Sequence, residues 1–363
     1  MLSNAIDVLG EDVLSWLGGL VVGALFGFCA QRSRFCLRAA VIEFVRGESG
    51  RRLSVWLLTF AAALLATQGL VALGLLDVSE ARQLAQQGSI SGAVIGGLMF
   101  GCGMVLTRGC ASRLLVLSAN GNLRALLSGL VFAVTAQASY RGVLSPAREW
   151  LTNLWLVDGG PSRDVMAALG GGLPEKIGFA AVWLLAGIAF AVRNRVGFGV
   201  AFGAVGAGIA IATGWIFTYQ LAQASFAPVS LKSVTFSGPS AEVLMWVLNS
   251  PHWLLDFDLG LVPGVFLGSF ISGAGGRELK LEGFSGGQSM RRYLAGAVLM
   301  GFGAMLAGGC AVGAGVTGAS VFALTAWIVL LGMWVGAGVT DFFVDRPDDA
   351  AKAVFGVMPS TRP

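Results

Sequence analysis

Residues Gly96–Ala111 read GGLMFGCGMVLTRGCA, and residues Gly296–Ala311, 200 positions later, read GAVLMGFGAMLAGGCA. Seven of the sixteen aligned positions are identical, and both stretches close on glycine, cysteine and alanine. Each stretch is apolar, rich in glycine and nearly as long as the roughly 20 residues that a membrane-crossing helix needs. The repetition therefore predicts two related halves embedded in a membrane.

The composition of the 363-residue chain supports a membrane location. Charged residues make up 12% of the chain, against about 25% in an average soluble domain. Hydrophobic residues make up 55%, and the mean hydropathy is +0.77. The 54 glycines fit close helix packing in a bilayer. These values exclude a soluble enzyme, a nucleic-acid-binding protein and a disulfide-stapled secreted domain; the net charge of +4 reflects short arginine-rich loops.

Runs without charged residues mark the expected spans. Leu53–Leu76 fits one tilted span, whereas Val196–Leu231 and Tyr293–Thr340 are longer than a single crossing needs. Both long runs contain glycines at which we expect the helices to break: Gly206, Gly208 and Gly214 in the first, and Gly308, Gly309 and Gly313 in the second. Irregular backbone inside a membrane must be buried in protein or line a cavity. We therefore expect an all-α integral membrane protein with about nine transmembrane helices and about four re-entrant half-helices.

Flanking charges indicate how the two halves are oriented. The loop before Ile90 has one basic residue, whereas the loop before Tyr293 has four, and two further pairs of loops also reverse their charge balance. Cytoplasmic loops carry the Lys/Arg excess, so we expect inverted, pseudo-symmetric repeats with the amino terminus outside. A single membrane domain over residues 1–363 would comprise a first repeat (14–140), a connecting region (141–192), a second repeat (193–340) and a C-terminal tail (341–363).

Three cysteines are the candidate functional residues. Cys36, Cys110 and Cys310 end the motifs QRSRFC, TRGC and AGGC, each at the end of an apolar segment where a re-entrant turn is expected. Gly109 and Gly309 let the backbone turn and expose its amide groups. A half-helix that starts after such a turn points its positive end into the site, which suits an anion, and a soft thiol favours sulfur over oxygen.

Polar residues near these motifs complete the candidate site. Arg34 and Arg108 are arginines close to membrane segments, where they could hold an anion or attract it, and Gln31 could line its path. Cys29 and Cys102 are interpreted as packing residues, because free cysteine is common in buried helices. With one histidine, His252, and no C-x-x-C pattern, the sequence predicts no metal and no cofactor.

The segment from Gly27 to Ala39 (GFCAQRSRFCLRA), together with TRGC and AGGCAVGAGVTGAS, resembles the YeeE/YedE family of bacterial sulfur-compound transporters. The resemblance runs from about residue 14 to about residue 340. It implies an inner-membrane importer of thiosulfate, and not an enzyme, in which Cys36, Cys110 and Cys310 pass the anion along by transient S–H···S contacts. It also implies a small TusA-like sulfur-carrier protein as a cytoplasmic partner. Gly313 departs from the family, which often has a histidine soon after the last cysteine.

Two other functions remain open from the residues. A membrane thiol enzyme, such as a sulfurtransferase, would use a cysteine activated by a cation, and Arg108 beside Cys110 is compatible with that role. A passive pore for small solutes would also use glycine-rich broken helices, and the cysteines would then have no role in passage. The cargo among sulfur and selenium species, the energy coupling and the oligomeric state stay undetermined by the sequence.

Overall fold

The computed structural model describes residues 2–225, 229–249, 255–284 and 287–346. Its helices are α1 (Leu2–Leu9), α2 (Glu11–Ser33), α3 (Leu37–Val45), α4 (Arg51–Ala72), α5 (Arg82–Ala85), α6 (Ile90–Leu106), α7 (Ala111–Ala119), α8 (Leu123–Arg141), α9 (Ser145–Thr152), α10 (Val165–Ala168), α11 (Leu173–Arg193), α12 (Phe198–Ala224), α13 (Ser237–Asn249), α14 (Phe257–Gly275), α15 (Gly287–Leu306) and α16 (Leu324–Thr340). The described residues also contain two π-helical segments (Gly313–Gly318 and Asp341–Asp345) and a 3-10 turn (Pro161–Arg163). One antiparallel strand pair joins β1 (Gly88–Ser89) to β2 (Leu156–Val157). His252 and most of the predicted tail lie outside the described residues.

Within the described residues, eight helical segments are long and apolar enough to cross a membrane, which confirms the all-α membrane class. They are Glu11–Val45, Arg51–Ala72, Ile90–Ala119, Leu123–Arg141, Leu173–Arg193, Phe198–Ala224, Phe257–Gly275 and Leu324–Asp345. The number is one fewer than the sequence predicts. Helix α15, of 20 residues, packs against α6 and α8, which both belong to the eight.

Helices α2 and α14 run parallel with their backbones in contact. Each has a glycine at every fourth residue of the shared face: Gly19, Gly23 and Gly27 in α2, and Gly260, Gly264 and Gly268 in α14. A Cβ atom on Gly264 would lie 2.2 Å from the carbonyl oxygen of Leu20. A Cβ atom on Gly23 would lie 2.3 Å from that of Leu261. Only glycine permits such an approach, and dispersion contacts then hold the pair together.

The remaining long helices also meet at small residues. The Thr59 hydroxyl on α4 donates a hydrogen bond of 2.9 Å to the carbonyl of Ala204 on α12. Helices α6 and α15 cross with opposite directions, because Gly103 meets Gly296 while Gly96 meets Gly303. Helix α16 packs on the other side of α6. The sequence prediction that glycine-rich segments pack closely is thus met at the level of backbone contacts.

The long run Val196–Leu231 does not break where the sequence predicts. Helix α12 is continuous from Phe198 to Ala224, and Gly206, Gly208 and Gly214 lie inside it. These glycines serve as contact points instead: a Cβ atom on Gly206 would lie 2.6 Å from the Cys29 sulfur. The next helix among the described residues after α12 is α13. The run Tyr293–Thr340, by contrast, is interrupted between α15 and α16 as predicted.

The connecting region is anchored by one buried arginine. Arg163 donates to the carbonyl of Gln86 and, at 2.6 Å, to the hydroxyl of Thr325 at the start of α16. Burial lowers the pKa of Arg163. The contact fixes the segment between α9 and α11 against the end of the molecule at which α6 and α16 begin.

Candidate functional site

The three candidate cysteines follow the same kind of backbone turn. Two residues before each of them the chain adopts a left-handed conformation: Arg34 at φ 55°, Arg108 at φ 58° and Gly308 at φ 73°. In each turn the following amide donates back to the last helical turn, from Phe35 to Ala30, from Gly109 to Met104 and from Gly309 to Ala304. This bonding ends α2, α6 and α15 with the helix carbonyls satisfied.

A new helical segment begins immediately after each turn. Cys36 is the N-cap of α3, and Cys110 is the N-cap of α7. After Cys310 the chain enters the π-helical segment Gly313–Gly318, and the Gly313 amide donates to the Cys310 sulfur at 3.4 Å. Helices α3 and α7 have nine residues each, so they are too short to cross a membrane alone. The cysteines therefore lie at the positive ends of short helical segments.

Cys36 and Cys110 lie together. Their thiols are near enough to interact electrostatically, although 74 positions separate them in the sequence. The Cys110 sulfur also lies 3.3 Å from the hydroxyl of Ser112. Cys36 is 8% exposed and Cys110 is fully buried. The structure thus forms a pair of enclosed thiols where α3 and α7 begin.

Cys310 lies at the other end of the crossed pair α6 and α15. Leu106, just before the first turn, packs against Gly296 in the first half of α15, whereas Leu306 packs against Gly92 at the start of α6. The fourteen residues from Gly92 to Leu106 correspond to about 20 Å along a helix axis. Cys310 is 1% exposed, so its thiol is enclosed as well.

A series of contacts connects Cys310 with the pair formed by Cys36 and Cys110. Gly313, which donates to the Cys310 sulfur, packs against the Thr235 side chain, and the Thr317 hydroxyl donates to the carbonyl of Val234. Phe236, which follows Thr235, has its ring centroid 5.5 Å from that of Phe26. The ring centroid of Phe26 lies 6.4 Å from that of Phe35. Phe35 precedes Cys36, so aromatic rings from α2 and two turns join the locations.

Gln31 and Arg34 bind a carboxylate of the protein itself. The Gln31 amide donates at 2.6 Å, and the Arg34 guanidinium at 3.2 Å, to the two oxygens of Glu278. The Arg34 side chain is 46% exposed. These residues tie the end of α2 to the segment after α14, while the side-chain amide oxygen of Gln31 is buried and has no hydrogen-bond partner among the described residues.

Arg108, Gly109 and Gly309 belong to the turns. Arg108 is half-buried, and its backbone supplies the left-handed residue before Cys110. A Cβ atom on Gly109 would meet its nearest neighbours at an ordinary 3.5 Å. One on Gly309 would lie 2.8 Å from the amide nitrogen of Ala314. Of the two glycines, only Gly309 is required by a close backbone approach.

Arg113 is a site residue that the sequence reasoning missed. It lies on α7, three residues after Cys110, and its charge acts on both Cys36 and Cys110. Its Nη1 atom is buried without a hydrogen-bond partner among the described residues. An arginine one helical turn after a candidate cysteine was the available signal, because charged side chains at membrane depth are costly and are commonly functional.

Arg38, Arg292 and Arg46 at this end have carboxylate partners. Arg38 binds Asp345 at 2.8 Å, and Arg292 binds the second oxygen of the same carboxylate. Arg46 binds the buried Asp341 at 2.8 Å. These ion pairs join α3 and α15 to the segment that follows α16. They also place paired charges at the same end of the molecule as the turns before Cys36 and Cys110.

A carboxylate cluster lies at the opposite end. Glu242, Asp256 and Asp258 offer oxygens within 4.8 Å of one another, an arrangement that could hold a cation. The Lys232 ammonium already donates to Asp256 at 2.9 Å and to Asp258 at 2.7 Å. The cluster therefore has an internal counter-ion, which does not suit a divalent metal.

Together the fold and the enclosed thiols define a multi-pass helical membrane protein with buried thiols at turns inside its helical core. A family model described as "Sulphur transport" matches residues 32–339. The chain belongs to this family, and the resemblance to YeeE/YedE transporters is confirmed.

Two curated relatives have related sequences over nearly their full length. The thiosulfate transporter TsuA of Escherichia coli (strain K12) is 26% identical over 367 residues, covering 93% of this chain and 97% of the relative. The thiosulfate transporter TsuA of Spirochaeta thermophila is 25% identical over 355 residues, covering 88% of this chain and 98% of the relative. Both relatives are named as transporters.

Proposed function

We propose that this protein imports thiosulfate, or a closely related soft sulfur anion, across the bacterial inner membrane. The observation that carries the proposal is the set of three buried cysteines, each after a left-handed turn and at the start of a short helical segment. The relatives named thiosulfate transporters support the choice of cargo.

The chemistry of the turns fits such an anion. A sulfur anion that leaves water must exchange its hydration for other donors, and the positive ends of α3 and α7 offer them. Neutral thiols add weak S–H donors that match a polarizable sulfur. The aromatic contacts from Phe236 through Phe26 to Phe35 give the order of the route: Cys310 at one end, and Cys36 with Cys110 at the other.

The packing of the helices supports two inverted repeats. Helix α2 packs on α14 while α4 packs on α12, and α6 packs on α16 while α8 packs on α15. If α2, α4, α6 and α8 correspond to α12, α14, α15 and α16, respectively, each contact has a counterpart. The α2–α14 contact then corresponds to the α12–α4 contact, and the α6–α16 contact corresponds to the α15–α8 contact. The repeats at 14–140 and 193–340, with a connecting region at 141–192, are the division we propose on this basis.

Charge supports an orientation with the amino terminus outside. Arginines gather at the end where α2 finishes, as the contacts of Arg34 with Glu278 and of Arg51 with the Arg195 carbonyl indicate. Glu11, Asp12 and Asp256 lie at the starts of α2 and α14, at the opposite end. The basic end would face the cytoplasm. Cys36 and Cys110 would then be the exit, next to a TusA-like sulfur carrier.

Uptake of radiolabelled thiosulfate by a bacterial strain without its own importer tests the proposal. Cys36→Ala, Cys110→Ala and Cys310→Ala should each lower the initial rate about 5- to 13-fold, as expected when a hydrogen bond worth roughly 1–1.5 kcal/mol is lost. Cys102→Ala is the matched control, since the Cys102 thiol donates to the Gly336 carbonyl at 3.5 Å, away from the three turns, and its variant should transport normally. Full uptake by Cys310→Ala at equal membrane abundance would overturn the relay.

One contact favours a second function. Cys36 and Cys110 are close enough for one thiolate to take the outer sulfur of thiosulfate, releasing sulfite and leaving a persulfide that the other thiol could resolve. Purified protein incubated with thiosulfate would then release sulfite and carry one added sulfur on a cysteine peptide. A transporter releases no sulfite and keeps its cysteine masses unchanged.

A further inference from the structure

An apolar groove lies on the surface of the molecule at its basic end, where three membrane-spanning helices meet. It encloses about 330 Å³, and each helix contributes one turn to its lining: Phe28 and Arg32 of α2, Phe198 and Phe202 of α12, and Ile271 and Gly275 of α14. Cavities that bind small molecules commonly enclose about 300–1,000 Å³. Helices α12 and α14 both pack on α2, and Phe28 is less exposed than the other apolar side chains of the lining, so α2 forms the floor.

The spacing of the lining residues explains the shape of the groove. On each helix they are four positions apart, which places them on the same face. The rings of Phe198 and Phe202 stack with their centroids 6.4 Å apart and form one wall. On α14, a Cβ atom on Gly275 would meet nothing within 4 Å. The groove is therefore walled by aromatic rings and stays open near the end of α14.

Arg32 supplies the positive charge of the groove. A Cβ atom on Gly199 would lie 3.7 Å from the Nη2 atom of Arg32, so the guanidinium lies beside the start of α12. Within the described parts of the chain Arg32 has no carboxylate partner, whereas Arg34 binds Glu278. The positive end of α12 has the same sign, and its N-cap residue, Gly197, has no side chain to accept from the first amides.

The depth of the groove in the membrane indicates what occupies it. Arg32 lies in the last turn of α2, whose 23 residues are long enough to cross the hydrocarbon core, so its guanidinium reaches the level of the lipid phosphates. Below it, the exposed rings of Phe28 and Phe202 face acyl chains. Helix α11 also exposes apolar side chains, such as Val182, but these do not line the groove. An occupant that suits the groove joins an anionic group to an apolar chain.

We propose that the groove binds one anionic phospholipid, with its phosphate against Arg32 and its acyl chains along Phe28, Phe202 and Ile271. A zwitterionic headgroup brings a cation of its own next to the guanidinium, so a headgroup with a net negative charge is preferred. The site is separate from the cysteine turns and does not depend on the cargo. Because α2 leads into the turn before Cys36, the bound lipid holds the end of that helix against α12 and α14.

Native mass spectrometry of the purified full-length protein, titrated with phosphatidylglycerol or phosphatidylcholine, tests the charge. Wild-type protein should bind phosphatidylglycerol more tightly than phosphatidylcholine. Arg32→Gln should weaken phosphatidylglycerol binding about fivefold, the effect of one cation near an anionic surface, and leave phosphatidylcholine binding unchanged. Arg141→Gln is the control, because it removes the same charge from an exposed position at the end of α8. Equal affinity of wild type and Arg32→Gln for phosphatidylglycerol would overturn the proposal.

A space-filling variant tests the apolar part of the site. Gly275→Trp should weaken the binding of both lipids, because the indole ring enters the open space beside Gly275. Gly129→Trp is the matched control, since a Cβ atom on Gly129 also meets open space and this residue lies on α8, outside the groove. Lipid binding that Gly275→Trp leaves unchanged would place the lipid elsewhere and refute the proposal.

A measurement on the wild type covers variants that do not fold. Phosphatidylglycerol with a photoactivatable diazirine in one acyl chain should label peptides that contain Phe28, Phe202 or Ile271, as read by peptide mass spectrometry. Unlabelled phosphatidylglycerol should reduce this labelling more than phosphatidylcholine does. Competition by inorganic phosphate alone would assign the site to a free anion, and equal labelling of α11 would indicate ordinary lipid contact. Either result would contradict the proposal.

Discussion

Arg34 and Arg108 adopt the same left-handed backbone conformation, with φ values of 55° and 58°, and each stands two residues before a buried cysteine. Gly308 takes the equivalent position before Cys310 with φ 73°. A left-handed non-glycine residue costs about 1–2 kcal/mol, so two arginines retained there indicate turns that the surrounding packing enforces. The shared turn brings each thiol to the start of a helical segment.

Replacing Gly308 by alanine tests this turn. A Cβ atom is unfavourable at positive φ, so we expect Gly308→Ala to lower the stability by about 1 kcal/mol. Gly129→Ala is the control, because Gly129 lies within α8 with open space around a Cβ atom and should gain about 0.5–1 kcal/mol. Thermal unfolding in detergent, followed by tryptophan fluorescence, measures both. Equal thermal unfolding midpoints for the two variants would contradict a left-handed turn at Gly308.

Oxidation tests the closeness of two thiols. Diamide, a membrane-permeable oxidant, should join Cys36 and Cys110 in an intramolecular disulfide, because the two thiols are electrostatic neighbours at the starts of α3 and α7. Peptide mass spectrometry would detect the bond, thiosulfate uptake should fall, and dithiothreitol should restore it. Cys110→Ser should prevent the crosslink. A disulfide that joined Cys310 to Cys36 or Cys110 would contradict the placement of Cys310 at the other end of α6 and α15.

Lys232 should be essential to the stability of the carboxylate cluster. Burial lowers the pKa of Lys232, but Asp258 and Asp256 more than offset this and raise it overall, so the ammonium stays charged. Lys232→Met leaves the carboxylates without their counter-ion, and we expect a loss of about 3–5 kcal/mol in unfolding free energy. Lys280→Met, at an exposed position, should change little. Partial recovery in a Lys232→Met, Asp258→Asn double variant would identify charge as the cause.

Glu242 should make the stability depend on pH. Burial, followed by repulsion from Asp258 and Asp256, raises the pKa of Glu242 from 4.5 to about 7. The folded protein then binds a proton more tightly than the unfolded chain. Its stabilising effect is complete below pH 4.5 and is lost as the pH rises through 7.

Unfolding midpoints measured from pH 5 to pH 8.5 check this expectation. Wild-type protein should lose stability across that interval, whereas Glu242→Gln, which stays neutral, should lose less. The same decline in both proteins would assign the pH dependence to another group.

The sequence predicted the features that depend on local pattern. The membrane class, the single span within Leu53–Leu76 and the interruption after Leu306 follow from hydropathy and from glycines beside a cysteine. The predicted break in α12 was wrong, because glycines inside an apolar run also occur where two helices touch. Local sequence does not distinguish these two uses of glycine.

The features it did not predict depend on distant partners. The Glu278 that binds Gln31 lies 247 positions away, and Arg113 gains its meaning only when α3 brings Cys36 to Cys110. Counting the charged residues of the sequence does not distinguish Arg34 from Arg113. Only the folded chain separates Arg34, which has a carboxylate partner, from Arg113.

The ring of Phe26 contacts both Phe35 and Phe236. In the transport route proposed above, these three rings lie between Cys310 and the pair Cys36 and Cys110. If the packed rings close that route, a cell could keep many copies in a membrane without short-circuiting its electrochemical gradient. Each passage of cargo then requires the rings to separate briefly, so the turnover rate and the leak of the resting protein would be set by the same side chain.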